Sequence, residues 1–317
     1  MTPMGLRYSY KDIQLPQLRS FCLTATAGSF TAAAKAQGLS VPAVWQQVRA
    51  LERELGATLV RRRGWTVEIT EEGRVLLELV QPHVTGLDSL ARLFESRRAE
   101  LPQKLTVVST HGLMAYHLPV PVQEFTRRHP GIQLRLRADI RPAELVQMLE
   151  QGEADLALLA YDRDEPRSRY LHYEDLFEMR LFLLTSPDHP LSRKKRLGLA
   201  DLLQYPLLAE PEGSLVRKVL ERMLRRQDRA DGIHIVTESA TLDILRRYVA
   251  LGVGISLMYL DEVIARSLPE LHIRVFDPAE TVPVAVVVRK GAHLPEPTQE
   301  FVHILRQHVA KRKGATH

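Results

Sequence analysis

Three glycines, Gly28, Gly38 and Gly56, fall where three helical patterns end, and their spacing restricts how the first sixty residues can fold. LPQLRSFCLTATA (15–27) places Leu15, Leu18, Phe21, Cys22 and Ala25 at helical intervals. Gly28 breaks that pattern, and Ser29 is a good N-cap for FTAAAKAQ (30–37), an Ala-rich helix able to pack closely. Gly38 suits the left-handed residue that closes such a helix. Ser40 then caps a third helix with Pro42 in its first turn, running to Leu55 and stopping at Gly56. A short helix, a tight turn and a longer helix make a helix-turn-helix.

In the third helix Val44, Val48, Leu51 and Leu55 recur at buried-face intervals, which puts Pro42, Gln46, Arg49 and Arg53 on the opposite face. Small and amide side chains at the start of such a helix suit the major groove. Gln pairs with adenine, and Ala43 can touch a thymine methyl. Arg61-Arg62-Arg63-Gly64 and the alternating WTVEIT (65–70) read as a β-hairpin wing whose arginines meet phosphates. Residues 1–70 hold nine basic side chains against four acidic ones, which is the whole of the chain's net charge of +5. The other 247 residues balance at 34 and 34. A basic head on a neutral body suggests a polyanion-binding module joined to something else.

Thr70 can cap the next helix, with Glu71 and Glu72 at its positive end. Leu76, Val80, Leu87, Leu90 and Phe94 form a heptad-like stripe that asks for a partner. Pro82 is expected to kink or split this helix, and the charged stretch Glu95–Lys104 with Pro102 reads as a hinge.

From Leu105 short apolar runs alternate with helical segments: LTVV (105–108), a helix over about 113–128, IQLRLRADI (132–140), a helix over 142–151, LALLA (156–160), LFEMRLFLLTS (176–186), then PLLAE, a helix over 215–226, IHIVTES, a helix over 242–251, ISLMY, HIRVF, VPVAVVVR and a terminal helix over 298–311. That alternation indicates α/β architecture with mostly parallel sheets. Ser109-Thr110-His111-Gly112 ends the first strand and opens a helix, an arrangement that suits either an anion or simple capping; Ser214 after Gly213 carries the same two readings. Gly252-Val253-Gly254 precedes a strand, which is the wrong context for a dinucleotide fingerprint, so close backbone packing explains it better.

Residues 17–73, QLRSFCLTATAGSFTAAAKAQGLSVPAVWQQVRALERELGATLVRRRGWTVEITEEG, closely resemble the winged helix-turn-helix of LysR-type transcriptional regulators. The matching landmarks are Leu18, Phe21, Gly28-Ser29-Phe30, Ala33-Ala34, Ser40, Pro42-Ala43-Val44, Leu51-Glu52, Leu55-Gly56, Leu59, Arg62, Thr70 and Gly73. Departures fall where that family reads DNA: Val41, Trp45, Gln46 and Val60 stand where Gln, Ser, Arg or Lys, and Phe are usual. Trp45 either rests on the groove wall or packs sideways. The body resembles the same family's effector domain through Phe125, His129-Pro130-Gly131, Gly152 to Ala157, His189-Pro190-Leu191 and Leu251 to Ile255. Tyr116-His117-Leu118-Pro119 and Arg247 to Gly252 look most like its sulfur-assimilation branch, but Gly112, Leu113 and Tyr161 replace polar positions of that branch.

The resemblance implies an α/β protein with an N-terminal all-α winged helix-turn-helix and a periplasmic-binding-protein-like effector domain of two subdomains. The expected divisions are 13–70 for the head (helix-turn-helix 30–49, wing 61–69), 71–98 for a linker helix that pairs subunits, and 104–317 for the effector domain. Subdomain I is expected at 104–178 and 279–317, and subdomain II at 179–278. The expected DNA-binding residues are Thr31, Ser40, Val41, Pro42, Ala43, Trp45, Gln46, Arg49, Arg61, Arg62 and Arg63. The expected effector residues are Ser109, Thr110, His111, Gly112, Tyr161 and Ser214, holding a small and anionic ligand. The implied partners are double-stranded DNA, that effector, further copies of the chain as dimer or tetramer, and RNA polymerase.

Other classes find little support. Cys22 alone offers no internal disulfide, no run of apolar residues is long enough for a membrane span, and the first thirty residues carry no secretory pattern, which points to the cytoplasm. No G-x-S-x-G, H-E-x-x-H or P-loop occurs, so neither an enzyme nor a cofactor is expected. A second reading, a small-molecule sensor whose DNA head has lost specificity, rests on Val41, Trp45 and Gln46.

Overall fold

In the computed structural model, which describes residues 13–63, 66–98, 104–139, 141–226, 233–239 and 241–314, helices begin and end where capping chemistry directs. α1 (Leu15–Ala27), α2 (Phe30–Gln37) and α3 (Val41–Leu55) follow one another closely. Ser29 Oγ accepts the Ala32 N–H at 3.3 Å, and Ser40 Oγ accepts the Ala43 N–H at 3.3 Å. Gly38 closes α2 at φ 65°, a left-handed conformation that costs other residues Cβ strain. The 61–69 wing is a hairpin of β1 (Val60–Arg63) and β2 (Thr66–Ile69), antiparallel, with Val60 opposite Ile69 and Arg63 opposite Thr66.

The chain divides into two units, Met1–Leu101 with Arg169–Leu171 and Arg289–Leu294, and Pro102–Ser168 with His172–Val288 and Pro295–His317. The first unit is built on Phe21, Val48, Leu51, Leu59, Val60, Leu77 and Val84, all buried. Ala33 and Ala34 pack on Val44 in a second small cluster, so the Ala-rich sequence of α2 lets it approach α3 closely. Leu55 departs from the expected buried face: it is 37% exposed, because the helix ends there and its last turn leaves the core.

α4 (Glu71–Arg98) is one helix through Pro82, so the helix is not split there. Proline removes one N–H, but Leu77 and Val84 on either side are both buried in the first unit's core and hold the helix together. Thr70 Oγ accepts the Gly73 N–H at 3.0 Å, as its capping role requires. Gly73 itself is obligatory: a Cβ there would stand 2.1 Å from the Leu59 carbonyl oxygen. The hinge expected at 95–104 lies largely outside the described residues.

The second unit holds a six-stranded sheet in the order β4-β3-β5-β10-β6-β9. Its strands are β3 (Lys104–Ser109), β4 (Gln133–Ala138), β5 (Leu156–Ala160), β6 (Leu171–Thr185), β9 (Ser256–Leu260) and β10 (His272–Arg289). A small parallel pair, β7 (Leu207–Ala209) and β8 (Ile235–Glu238), stands beside it. Helices α5 (His111–Tyr116), α6 (Pro119–Arg128), α7 (Pro142–Glu150), α8 (Leu199–Leu202), α9 (Leu215–Arg226), α10 (Leu242–Ala250), α11 (Glu262–Arg266) and α12 (Glu296–Gly314) complete it.

Three local expectations change. The helix expected over 113–128 is two helices, because Pro119 lacks an N–H and restrains the residue before it; His117 and Leu118 fall in the break. The two late strands are one strand of 18 residues, β10, and β6 begins at Leu171. The sheet is mixed. β3 runs parallel to β4 and β5, but β10 is antiparallel to β5 and β6 is antiparallel to β9. Gly254 closes against the second unit's own backbone, where a Cβ would stand 2.4 Å from the Pro206 carbonyl oxygen.

Candidate functional site

The first candidate surface is the outer face of α3 with the wing. Thr31, Ser40, Val41, Pro42, Trp45, Gln46, Arg49, Arg61, Arg62 and Arg63 are all exposed, and Ala43 is half-buried. Val41 is 40% exposed and Trp45 47%, unusual for apolar side chains on a helix with a well-buried opposite face. The Arg49 guanidinium lies 5.3 Å from the Trp45 ring centroid, within cation–π range. Arg49 also donates to Glu52 at 2.8 Å. Glu52 is buried and its other oxygen accepts the N–H groups of Leu59 and Val60 at 2.8 and 3.2 Å. One carboxylate thus ties the exposed face of α3 to the base of the wing.

A half-buried polar cluster that sequence reasoning missed joins the three head helices. Ser20 Oγ donates to Gln47 Oε1 at 2.5 Å, and Gln37 Nε2 donates to Ser20 Oγ at 3.1 Å. Each residue comes from a different helix, so their register alone gives no signal. An open concavity beside Trp45 and Gln46 is lined also by Gln17 and Gln47, which the sequence reading had not singled out.

The second candidate is a cavity of about 80 Å³ in the second unit. Thr110, His111 and Gly112 line it, together with Leu113, Tyr116, His117, Met179, Glu210, Met258 and Tyr259. Thr110 occupies the N-cap position of α5, yet its side chain makes no capping bond. No atom lies within 4 Å of where a Gly112 Cβ would stand, so this glycine leaves the space open. His111 Nδ1 is buried without a hydrogen-bond partner among the described residues.

The other expected effector residues do not line this cavity. Ser109 is fully buried, and its hydroxyl donates to the Leu158 carbonyl at 2.6 Å, stitching β3 to β5. Tyr161 donates to Asp175 at 2.8 Å, and its ring meets Tyr173 with centroids 5.4 Å apart. Ser214 is buried at the start of α9, where its Oγ accepts the Arg217 N–H at 3.2 Å and bonds the Glu210 carboxyl.

Glu210, missed at the sequence level, is the one charged side chain among the described lining residues. A carboxylate placed directly after the buried strand β7 was the signal available. Burial pushes its carboxyl up to about 7, against the lowering effect of the Ser214 hydrogen bond. His117 is held neutral: burial pushes its imidazole down to about 3, helped by the charge of Arg312. Its Nε2 makes no hydrogen bond among the described residues, although Asp261 Oδ2 lies 3.4 Å away. His117 also lines a second cavity of about 430 Å³ with Phe177, Arg180 and Arg312. Among the described residues no three His, Cys, Asp or Glu side chains are grouped to hold a metal ion, and no helix is long and apolar enough to cross a membrane.

Two family models match the two units. "Bacterial regulatory helix-turn-helix protein, lysR family" covers residues 15–74, and "LysR substrate binding domain" covers residues 98–310. CysB of Burkholderia cenocepacia is 31% identical over 73% of this chain and 72% of its own length. The RuBisCO operon transcriptional regulator of Allochromatium vinosum is 32% identical, covering 79% of this chain and 81% of its own. Among solved structures, a full-length OxyR variant from Pseudomonas aeruginosa superposes with a TM-score of 0.56 at 22% identity, covering 94% of each chain. HinK from the same species gives 0.52 at 23%, covering 94% of this chain and 99% of its own. The structures agree in fold and the relatives in class, transcriptional regulators rather than enzymes. The chain, with its helix-turn-helix DNA-binding domain and its substrate-binding domain, belongs to the LysR family of bacterial transcriptional regulators.

Proposed function

We propose that this regulator reads a specific DNA sequence and that a small molecule bound in the cavity around Thr110, His111 and Glu210 controls it. The observation that carries the reading is the division of α3: Val44, Val48 and Leu51 are buried, while Val41, Trp45, Gln46 and Arg49 stand exposed beside a wing of three exposed arginines. A helix presented this way enters a major groove, and the wing arginines grip the flanking backbone. Leu87, Leu90 and Phe94 on α4 are exposed apolar residues, which supports pairing of two subunits through this helix and further assembly to a tetramer.

The division of the second unit at about 178–179 and 278–279 gives the ligand two subdomains to bridge. A ligand that binds one of their arrangements better than another shifts the population towards it, and so alters how paired heads meet their two half-sites and RNA polymerase. A cytoplasmic location follows from a DNA target.

The test is a footprint on the DNA beside the protein's own gene, with excess random competitor at physiological salt. A protected region of two-fold symmetry is expected, and Gln46→Ala should lose it. Protection that random competitor abolishes would leave non-specific phosphate binding instead.

A further inference from the structure

The cavity has an electrostatic character opposite to the anionic ligand that its Ser-Thr-His sequence suggests. Among the described residues lining it there is no lysine or arginine, and its single charged side chain is a carboxylate. Arginines around it are engaged with acidic side chains: Arg312, 3.3 Å from His117 Nδ1, pairs with Asp261 at 3.1 Å. Arg217, which follows Ser214 on α9, pairs with Glu221 at 2.9 Å and Glu238 at 3.1 Å. Arg222 pairs with Asp162 and with Glu280 at 3.2 Å. His117 is buried and neutral. What faces a ligand is the Glu210 carboxylate and the Thr110 hydroxyl, with the His111 side chain beside them.

The remaining lining is apolar or aromatic. Tyr116 and Tyr259 have their hydroxyls bonded to Asp243 at 2.8 Å and Glu280 at 2.9 Å, so they offer ring surface to the cavity. Met179 and Met258 add polarisable thioethers. A carboxylate drawn out of water with one hydroxyl for company is costly, and a ligand cation that pairs with it removes that cost. Aromatic faces favour the same charge.

We infer that the cavity binds a small organic ammonium ion, its nitrogen on Glu210 and Thr110 and its short apolar body on the aromatic and methionine side chains. This rests on the reading of the cavity as the effector site and names the class of effector. An alkylammonium head has N–H donors to meet both oxygens of the Glu210 carboxylate and the Thr110 hydroxyl. The size agrees: 80 Å³ holds a compact molecule of a few carbons rather than a nucleotide or a sugar. Sulfate, or a carboxylate bearing an apolar tail, would instead meet the Glu210 carboxylate with no cation to offset it.

The experiment uses three probes with one carbon skeleton: isoamylamine, isoamyl alcohol and isovalerate. Each is titrated into the full chain by calorimetry at about pH 7.5, with inorganic sulfate as a fourth arm. The amine should bind roughly tenfold or more tighter than the alcohol, a difference of about 1.4 kcal/mol, with no saturable binding of isovalerate or sulfate. Glu210→Gln should erase the preference for amine over alcohol. Should that variant fail to fold, the wild type still decides. At about pH 6.5, buffers of different ionisation heat should reveal proton release on amine binding, as a protonated Glu210 gives up its proton to pair with the ammonium. Isovalerate binding as tightly as the amine overturns the inference, and so does an amine that shows no saturation by about 20 mM. Adding each probe to the DNA footprint separates the two readings. Amine binding without any change in DNA contacts keeps the ammonium site and removes the regulatory role; a footprint altered by isovalerate alone does the reverse.

Discussion

In the head, charge faces outward: Arg49, Arg61, Arg62 and Arg63 are exposed around a small core of Phe21, Leu51 and Leu59. In the body's cavity the relation is inverted, and one carboxyl, Glu210, faces inward among aromatic and thioether groups. The difference teaches how each surface discriminates. The head meets a polyanion in water, where each cation adds a modest, salt-screened increment and many must act together. The cavity removes its polar groups from water, so one unmatched group decides what can enter.

The same contrast ranks the ways to test it. The largest effects should come from glycines that admit no side chain. Gly73→Ala drives a Cβ into the Leu59 carbonyl in the head, and Gly254→Ala drives one into the Pro206 carbonyl in the body. Each should cost on the order of 4 kcal/mol in its own unit alone. Calorimetry of the full chain should show one transition lowered and the other unmoved, with DNA binding lost in the head variant. Equal lowering of both transitions would mean that the two units do not unfold independently.

Next comes Glu52→Ala. Two buried N–H groups, of Leu59 and Val60, lose their acceptor, and Arg49 loses its anchor. A loss of about 3 kcal/mol is expected, read from denaturant unfolding, together with reduced discrimination between DNA sequences. An intact wing and undiminished specificity would show that the carboxylate organises neither.

The cavity's carboxyl should be visible in stability against pH. Glu210 titrates near 7 in the folded chain and near the ordinary 4.5 when unfolded. Its contribution is therefore full below about pH 4.5 and is lost as the pH rises through about 7, by about 3 kcal/mol. His117 acts in the opposite direction. Its folded value is pushed down to about 3, so its contribution is present above about 6.5 and is lost as the pH falls. The difference between wild type and Glu210→Gln isolates the first effect, and parallel pH profiles for the two would remove it. The smallest effect should be Arg62→Ala, about 1 kcal/mol of DNA affinity lost equally across sequences, with the salt dependence reduced by about one counterion. A loss confined to one sequence would make Arg62 a base reader.

Legibility from the amino-acid sequence follows the same division. The head's capping serines, its glycine turns and its wing are local, spanning a few residues each, so helical and alternating periods expose them. What escaped there was tertiary: the Ser20–Gln37–Gln47 cluster draws one residue from each of three helices. In the body the alternation of strands and helices was readable, but the pairing directions were not, because nothing in a run such as VPVAVVVR says which neighbour it will meet. Of the expected effector residues, those that line the cavity are Thr110, His111 and Gly112, which are consecutive. Glu210 and Tyr259 reach it from a hundred and more residues away, and Ser109 and Tyr161 lie near in sequence or type but spend their hydroxyls elsewhere.

The most direct test of the central claim is selection of duplexes from a randomised pool by the full chain, at physiological salt and with competitor DNA present. The account predicts enrichment of one sequence with two-fold symmetry, bound far more tightly than the starting pool and lost on Gln46→Ala. A pool that emerges unenriched, bound with an affinity that falls with salt identically for every sequence, would contradict it.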